Sequence, residues 1–319
     1  MELGDSLRKK GISESSIKTY LQSIKKINKE LFNSKKICLQ YFRDHDSVIE
    51  YLDSIPNLST RKTITVAIIV VLKHSEIPGL PREIYSQYHK KLANLQSDSY
   101  LDNEKTDKEK KNWITGKEID TVINTLFSLI SNSEGKLEPT IPKSFKGTPR
   151  QFLDKVQQHL VVSLHKKLPL RNDFALVKVI SGETIIADLD KSFNYINTDT
   201  SKLFLCNYKT FTAYGVKNIE VPESLIFLIK NFQEIKKNIL EKNDNGFLLV
   251  NSTNSEPMKK NSLTKYINKI FGKNISTSLL RKVYLSEKYP VINNFREREK
   301  DSYMMCHSTS MAQTVYSKK

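Results

Sequence analysis

Three cysteines in 319 residues, Cys38, Cys206 and Cys306, stand too far apart for zinc-ligand spacing and, being odd in number, cannot all pair. A disulfide framework and a cysteine-built structural metal site are thereby excluded, and an intracellular, reducing compartment, cytoplasm or nucleus, is expected. No apolar run approaches the roughly 20 residues that a helix needs to span a bilayer. The longest, Val66 to Leu72, reads as a buried core segment, and the polar, charged N-terminus speaks against a targeting signal. Acids are scarce relative to bases, with 35 Asp and Glu against 51 Lys and Arg and a formal net charge of +16. The remainder is ordinary for a globular chain about two domains long.

The positive excess is uneven. Residues 151–319 hold 26 Lys and Arg against 16 acids, so +10 of the +16 lies in the C-terminal half. Such a field raises affinity and on-rate toward a polyphosphate, which points to a nucleic acid. The richness in Lys, Asn and Ile is of the kind an AT-rich genome encodes, which fits a virus or mobile element.

Taken in order, apolar residues at helical spacing (Ile17, Tyr20, Leu21, Ile24, Ile27, Leu31) follow the capping cluster Ser13-Glu-Ser-Ser16. Further helices are expected over 46–54, from Ser59-Thr60 to His74, and over 83–96. Four short helices and little strand signal make residues 1–97 a compact all-α module. Residues 98–112 form a polar, mixed-charge run that reads as an exposed linker. A second domain, 113–319, opens at Trp113, the only tryptophan, where Thr115 and Glu118 have capping-box spacing. Its expected parts are a helix through Ile130, a loop over 131–147, and a helix from Pro149 that Pro169 breaks just ahead of Arg171. Segments at Ala175–Ile180, Thr184–Leu189, Lys202–Cys206 and Lys217–Val221 follow, read as a small antiparallel sheet of three strands. Helices are then expected from Pro222, over 261–271 up to Gly272, from Ser276, and over roughly 292–305 and 308–316.

The residues of chemical interest appear in a definite order. Arg171 stands at a helix-to-sheet junction, Lys209 in a hairpin, and Arg281 in the helix begun by Ser276-Thr-Ser278-Leu-Leu-Arg281. His307-Ser308 follows, and Tyr316 comes nine positions after the histidine. This order and the final histidine-serine, alanine, tyrosine box resemble the tyrosine recombinases, in detail over residues 113–319 and as a helical DNA-gripping module over 10–97. The resemblance implies a mainly α chain with a small antiparallel sheet, in which a four-helix, SAM-like core-binding domain and a catalytic domain clamp double-stranded DNA. It implies a site-specific recombinase or integrase, assembled on DNA as a dimer to tetramer without a membrane. In that chemistry Arg171 and Arg281 hold the scissile phosphate, His307 donates a hydrogen bond to it, and Tyr316 attacks to leave a 3′-phosphotyrosyl link. Lys209 protonates the departing 5′-oxygen, with Lys217 as the alternative acid. Because the link conserves the bond energy, no cofactor, neither ATP nor Mg²⁺, is expected.

Three positions depart from the family pattern. Ser278 stands where a histidine is usual, three residues before Arg281, and cannot take a proton from tyrosine near neutral pH. The acid that supports the first arginine is Asp173, two residues on, with Phe174 at the usual third place. The chain also stops three residues after Tyr316, so an exchanged C-terminal helix is not expected and assembly must use another surface. Two rival functions remain: a strand-nicking topoisomerase using the same residues, separated by whether two sites are brought together, and a catalytically weakened DNA-binding relative.

Overall fold

The computed structural model describes residues 3–74, 82–101, 104–240, 245–251, 254–289 and 295–305. The chain divides into two compact units, Met1–Asp102 and Asn103–Lys319. It is mainly helical with one small sheet. Among the described residues no helix is long and apolar enough to cross a membrane.

The first unit is built from α1 (Leu3–Lys9), α2 (Glu14–Glu30), α3 (His45–Ser54), α4 (Leu58–His74) and α5 (Arg82–Leu101), with a 3-10 turn at Leu39–Arg43. Ser13 caps α2, its side chain accepting from the Ser16 N–H. The one-sided spacing of Ile17, Ile24 and Ile27 turns that face onto α4, whose Ile64, Ile68 and Val71 are buried with it. The apolar run at 66–72 is thus the interior of this unit. The short α1 was not expected; a seven-residue helix cannot stand alone, and its buried Leu7 joins the same core.

The run expected as an exposed linker is partly helical. α5 continues to Leu101, and Asp107–Asn112 forms a helix of its own, α6. With no buried residue, α6 gains nothing from an apolar face. It is held by a full capping box between Thr106 and Glu109 and by an ion pair from Lys282 to Glu109.

In the second unit α7 (Gly116–Ile130) and α10 (Glu223–Leu240) pack on the central α8 (Pro149–Lys167), as do α11 (Lys260–Phe271) and α12 (Thr277–Lys288). Capping boxes at Thr115–Glu118 and Thr148–Gln151 start α7 and α8, and Gly272, at φ 63°, ends α11. The last helices are α9 (Phe211–Tyr214) and α13 (Phe295–Met304). The sheet departs from expectation: it has four strands, β1 (Val177–Ile180), β2 (Asn194–Asn197), β3 (Lys202–Leu205) and β4 (Lys217–Glu220), in that order. β1 and β2 pair parallel and the others antiparallel. A parallel pair needs a connection of about a dozen residues, which 181–193 supplies. Thr184–Leu189, expected as a strand, lies in that connection as loop and a 3-10 turn, with Ile185 66% exposed.

Two histidines of α8 are buried among apolar groups. Desolvation lowers both His159 and His165 to about 4, and the Nδ1–H of His165 donates to the Val161 carbonyl at 2.8 Å. Their pKa values are lowered on folding, so their neutral forms support the fold fully above pH 6.5, the unfolded value. That support is lost as pH falls toward 4. Thermal melts in which His165→Leu lowers proton uptake on unfolding by about one proton near pH 5 are expected; an unchanged pH dependence contradicts the assignment.

Candidate active site

Pro169 cannot continue α8, so the chain turns there and Arg171 becomes the residue that opens the 3-10 turn Asn172–Phe174. Its neighbour Asn172 fixes that turn in place. Asn172 Nδ2 donates to Thr264 Oγ1 of α11, and its Oδ1 accepts from Thr277 Oγ1 of α12, each at 3.0 Å. The Arg171 turn is therefore latched to the first turn of α12, which Ser276 caps by accepting from the Leu279 N–H at 3.1 Å. Three successive hydroxyls divide the labour: Ser276 caps, Thr277 is buried and latches, and Ser278 is exposed.

Arg281, one turn further along α12, is fully buried at 0% exposure. Asp173, 5% exposed, lies within electrostatic reach of Arg171, Arg281 and Lys260. Burial raises its pKa above the ordinary carboxylate value, against the pull of Lys260, Arg171 and Arg281 and a bond from the Arg171 backbone. The Asp173 carboxylate thus lies within electrostatic reach of both arginines, displaced by one position from the place expected for the acid.

The second role of Arg281 is at the end of the described chain. Its Nη2 donates to the Met305 carbonyl at 2.8 Å. Lys217, 3% exposed at the start of β4, donates from Nζ to the Tyr303 carbonyl at 2.7 Å and packs over the Tyr303 ring at 3.8 Å and the Tyr214 ring at 4.9 Å. Both cations thus engage carbonyls at the C-terminal end of α13, where positive charge is favoured. Lys209, by contrast, is exposed in the turn between β3 and α9. His307 and Tyr316, with the helix expected over 308–316, lie outside the described residues.

No family model matches the sequence, and no curated protein matches it in a sequence search. Among solved structures the chain is similar to one described as the crystal structure of XerA recombinase, with a TM-score of 0.40 and 12% identity, over 98% of this chain and 92% of that one. The reading of the site rests on its own residues.

Of the expected site residues, then, the structure places Arg171 and Arg281 within electrostatic reach of one carboxylate, leaves Ser278 exposed one turn ahead of Arg281, and leaves Lys209 exposed in its turn. Lys217 is engaged by a carbonyl and two rings. Asn172, Thr264, Thr277 and Lys260 were not found from the sequence. The only available signal was a polar residue next to each arginine-bearing turn, and capping preferences absorb such residues equally well.

The exposure of Ser278 makes it a site that accepts substitution. Under the strand-cleavage chemistry that the sequence resemblance implies, Ser278→His is expected to speed cleavage of a nicked duplex, most visibly near pH 7 where imidazole is partly neutral, by no more than about the 10²-fold lower end of general-base effects. Ser278→Ala costs little, since one hydroxyl offers a hydrogen bond worth roughly 0.5–1.5 kcal/mol. If the alanine variant loses as much activity as Arg281→Ala, the serine has a direct chemical part.

Proposed function

We infer that this protein is a DNA strand transferase of the tyrosine-recombinase kind, which cleaves and rejoins duplex DNA through a 3′-phosphotyrosyl intermediate. The observation that carries this reading is buried Arg281, which fastens the Met305 carbonyl two residues ahead of His307 and shares with Arg171 the electrostatic reach of buried Asp173.

The chemistry needs fixed positive charge at the non-bridging oxygens of a phosphodiester, and arginines supply it permanently and in a bidentate form. A buried carboxylate within electrostatic reach of both limits their mutual repulsion while leaving a net positive site for phosphate. Tyr316 gives up its phenolic proton to solvent water, its oxygen bonds to phosphorus, and the bond from phosphorus to the 5′-oxygen breaks. Lys209 hands a proton to that oxygen, and His307 donates a hydrogen bond to the phosphate. Rejoining runs the same steps backward, so neither ATP nor a metal ion enters the balance. In this reading the first unit grips the duplex, and copies of the chain assemble on DNA so that two sites are exchanged.

Covalent capture from a pool of nicked random-sequence duplexes, in EDTA and without ATP, tests the reading; an adduct supports it and no adduct contradicts it. Binding of intact duplex is expected to fall by about 10³-fold or more between 50 and 200 mM salt, as for proteins with six or more phosphate contacts. An affinity that does not change with salt removes the nucleic-acid reading.

A further inference from the structure

Asn194 opens β2 and is almost wholly buried, at 2% exposure. Its amide makes four hydrogen bonds, the complement of two donor hydrogens and two acceptor lone pairs. Nδ2 donates to the Asp173 carbonyl at 2.9 Å and to the Asn207 carbonyl at 3.2 Å. Oδ1 accepts from the Cys206 N–H at 2.9 Å and the Asn207 N–H at 2.8 Å. One side chain therefore joins the turn that carries Arg171 to the point where the chain leaves β3.

The segment it holds carries Lys209. After Leu205 the chain departs from the β3–β4 ladder and returns at Lys217. The base of this excursion is fastened further by Asn207 Nδ2, which donates to the Ser192 carbonyl at 2.7 Å, and by the Tyr208 hydroxyl, which donates to the Gly215 carbonyl at 2.7 Å. Both of those bonds connect parts of the sheet and its loops. The Asn194 amide reaches from the excursion to the Arg171 turn. Lys209 lies two residues past Asn207 and is exposed, so its reach is set by where this base is held.

We propose that Asn194 is a positioning residue: it sets the Lys209 turn against the Arg171 turn, so that the proton donor and the phosphate clamp meet the same phosphodiester. The inference rests on the strand-cleavage reading and assigns to that site a part that neither the sequence pattern nor the arginine cluster reveals. A buried asparagine that serves only the fold would lower stability and leave proton transfer untouched, and a change of leaving group separates the two.

The test uses the full-length protein and the nicked duplex that capture selects, prepared with the ordinary 5′-oxygen or with sulfur in its place. When the bond from phosphorus to sulfur breaks, sulfur leaves as a thiolate and takes no proton, so a fault in general-acid delivery disappears. Asn194→Asp keeps an oxygen to accept from Cys206 and Asn207 and removes both amide donors, cutting the tie to Asp173. Its cleavage of the oxygen substrate is expected to fall by about 10²-fold, the lower end of general-acid effects. On the sulfur substrate it should return to within about threefold of wild type, as Lys209→Ala does, with duplex affinity unchanged, because the arginines remain in place.

If Lys209→Ala recovers on sulfur while Asn194→Asp stays equally slow on both substrates, Asn194 is structural only; the proposal falls and the cleavage reading stands. If Lys209→Ala does not recover, Lys209 is not the acid, and the proposal falls with that assignment. If the wild type forms no adduct on either substrate, the cleavage reading itself fails. Should Asn194→Asp lack a cooperative melt, Asn194→Ser is taken through the same pair of substrates. Failure of both variants to fold assigns Asn194 to the fold and overturns the proposal.

Discussion

Tyr316→Phe is expected to abolish covalent capture and to leave duplex binding within about twofold of wild type, since phosphate contacts from Lys and Arg dominate affinity for DNA. The substitution removes one oxygen and keeps the ring. No other group replaces a missing nucleophile, so the loss is complete rather than graded. A denaturing gel that retains covalent adducts reads the first result, and a native gel shift reads the second. An adduct at normal yield from the phenylalanine variant would show that another residue attacks.

Arg281→Ala is expected to act on both stability and rate. The side chain is fully buried, bonds the Met305 carbonyl and lies within electrostatic reach of Asp173, so its removal leaves that carbonyl without this donor and the acid with less opposing charge. A buried acceptor that loses its donor costs about 1–3 kcal/mol, and the cavity left by the side chain adds to that. Cleavage should fall by about 10²–10³-fold, as when a preorganised donor is taken from a developing oxyanion. Arg281→Lys restores part of the melting temperature, because a charge returns, and little of the rate, because the bidentate fork does not. Arg171 is only half-buried, and Arg171→Ala should lose comparable activity with a smaller drop in melting temperature. Cleavage by Arg281→Ala at the wild-type rate would remove this residue from the chemistry.

The helices that bury one apolar face were legible in the sequence, because spacing and caps carry that information locally. Ile17, Ile24 and Ile27 with Ser13, and Thr115 with Glu118, needed no distant partner to be read. The sheet was less legible for a physical reason. β2 reads Asn194-Tyr-Ile-Asn197, with buried asparagines satisfied by hydrogen bonds to loops rather than by alternation, whereas the more apolar Thr184–Leu189 never joins the ladder. α6 was hidden for a similar reason, since its partner Lys282 lies 173 residues away. At the site, the arginines could be picked out by type and order. The latch of Asn172 to Thr264 and Thr277, over separations of 92 and 105 residues, could not. Nor could the engagement of Lys217 by Tyr303, which depends on contacts 86 residues apart.

Mapping the residue that carries the DNA tests the central claim most directly. A duplex nicked just downstream of the cleaved bond traps the intermediate, because the short released strand diffuses away and rejoining cannot follow. Digestion of the trapped complex and mass measurement of the nucleotide-bearing peptide is expected to find a 3′-phosphate on Tyr316, formed in EDTA and without ATP. A modified peptide centred on any other residue, or an adduct that requires a divalent metal ion, would contradict the account.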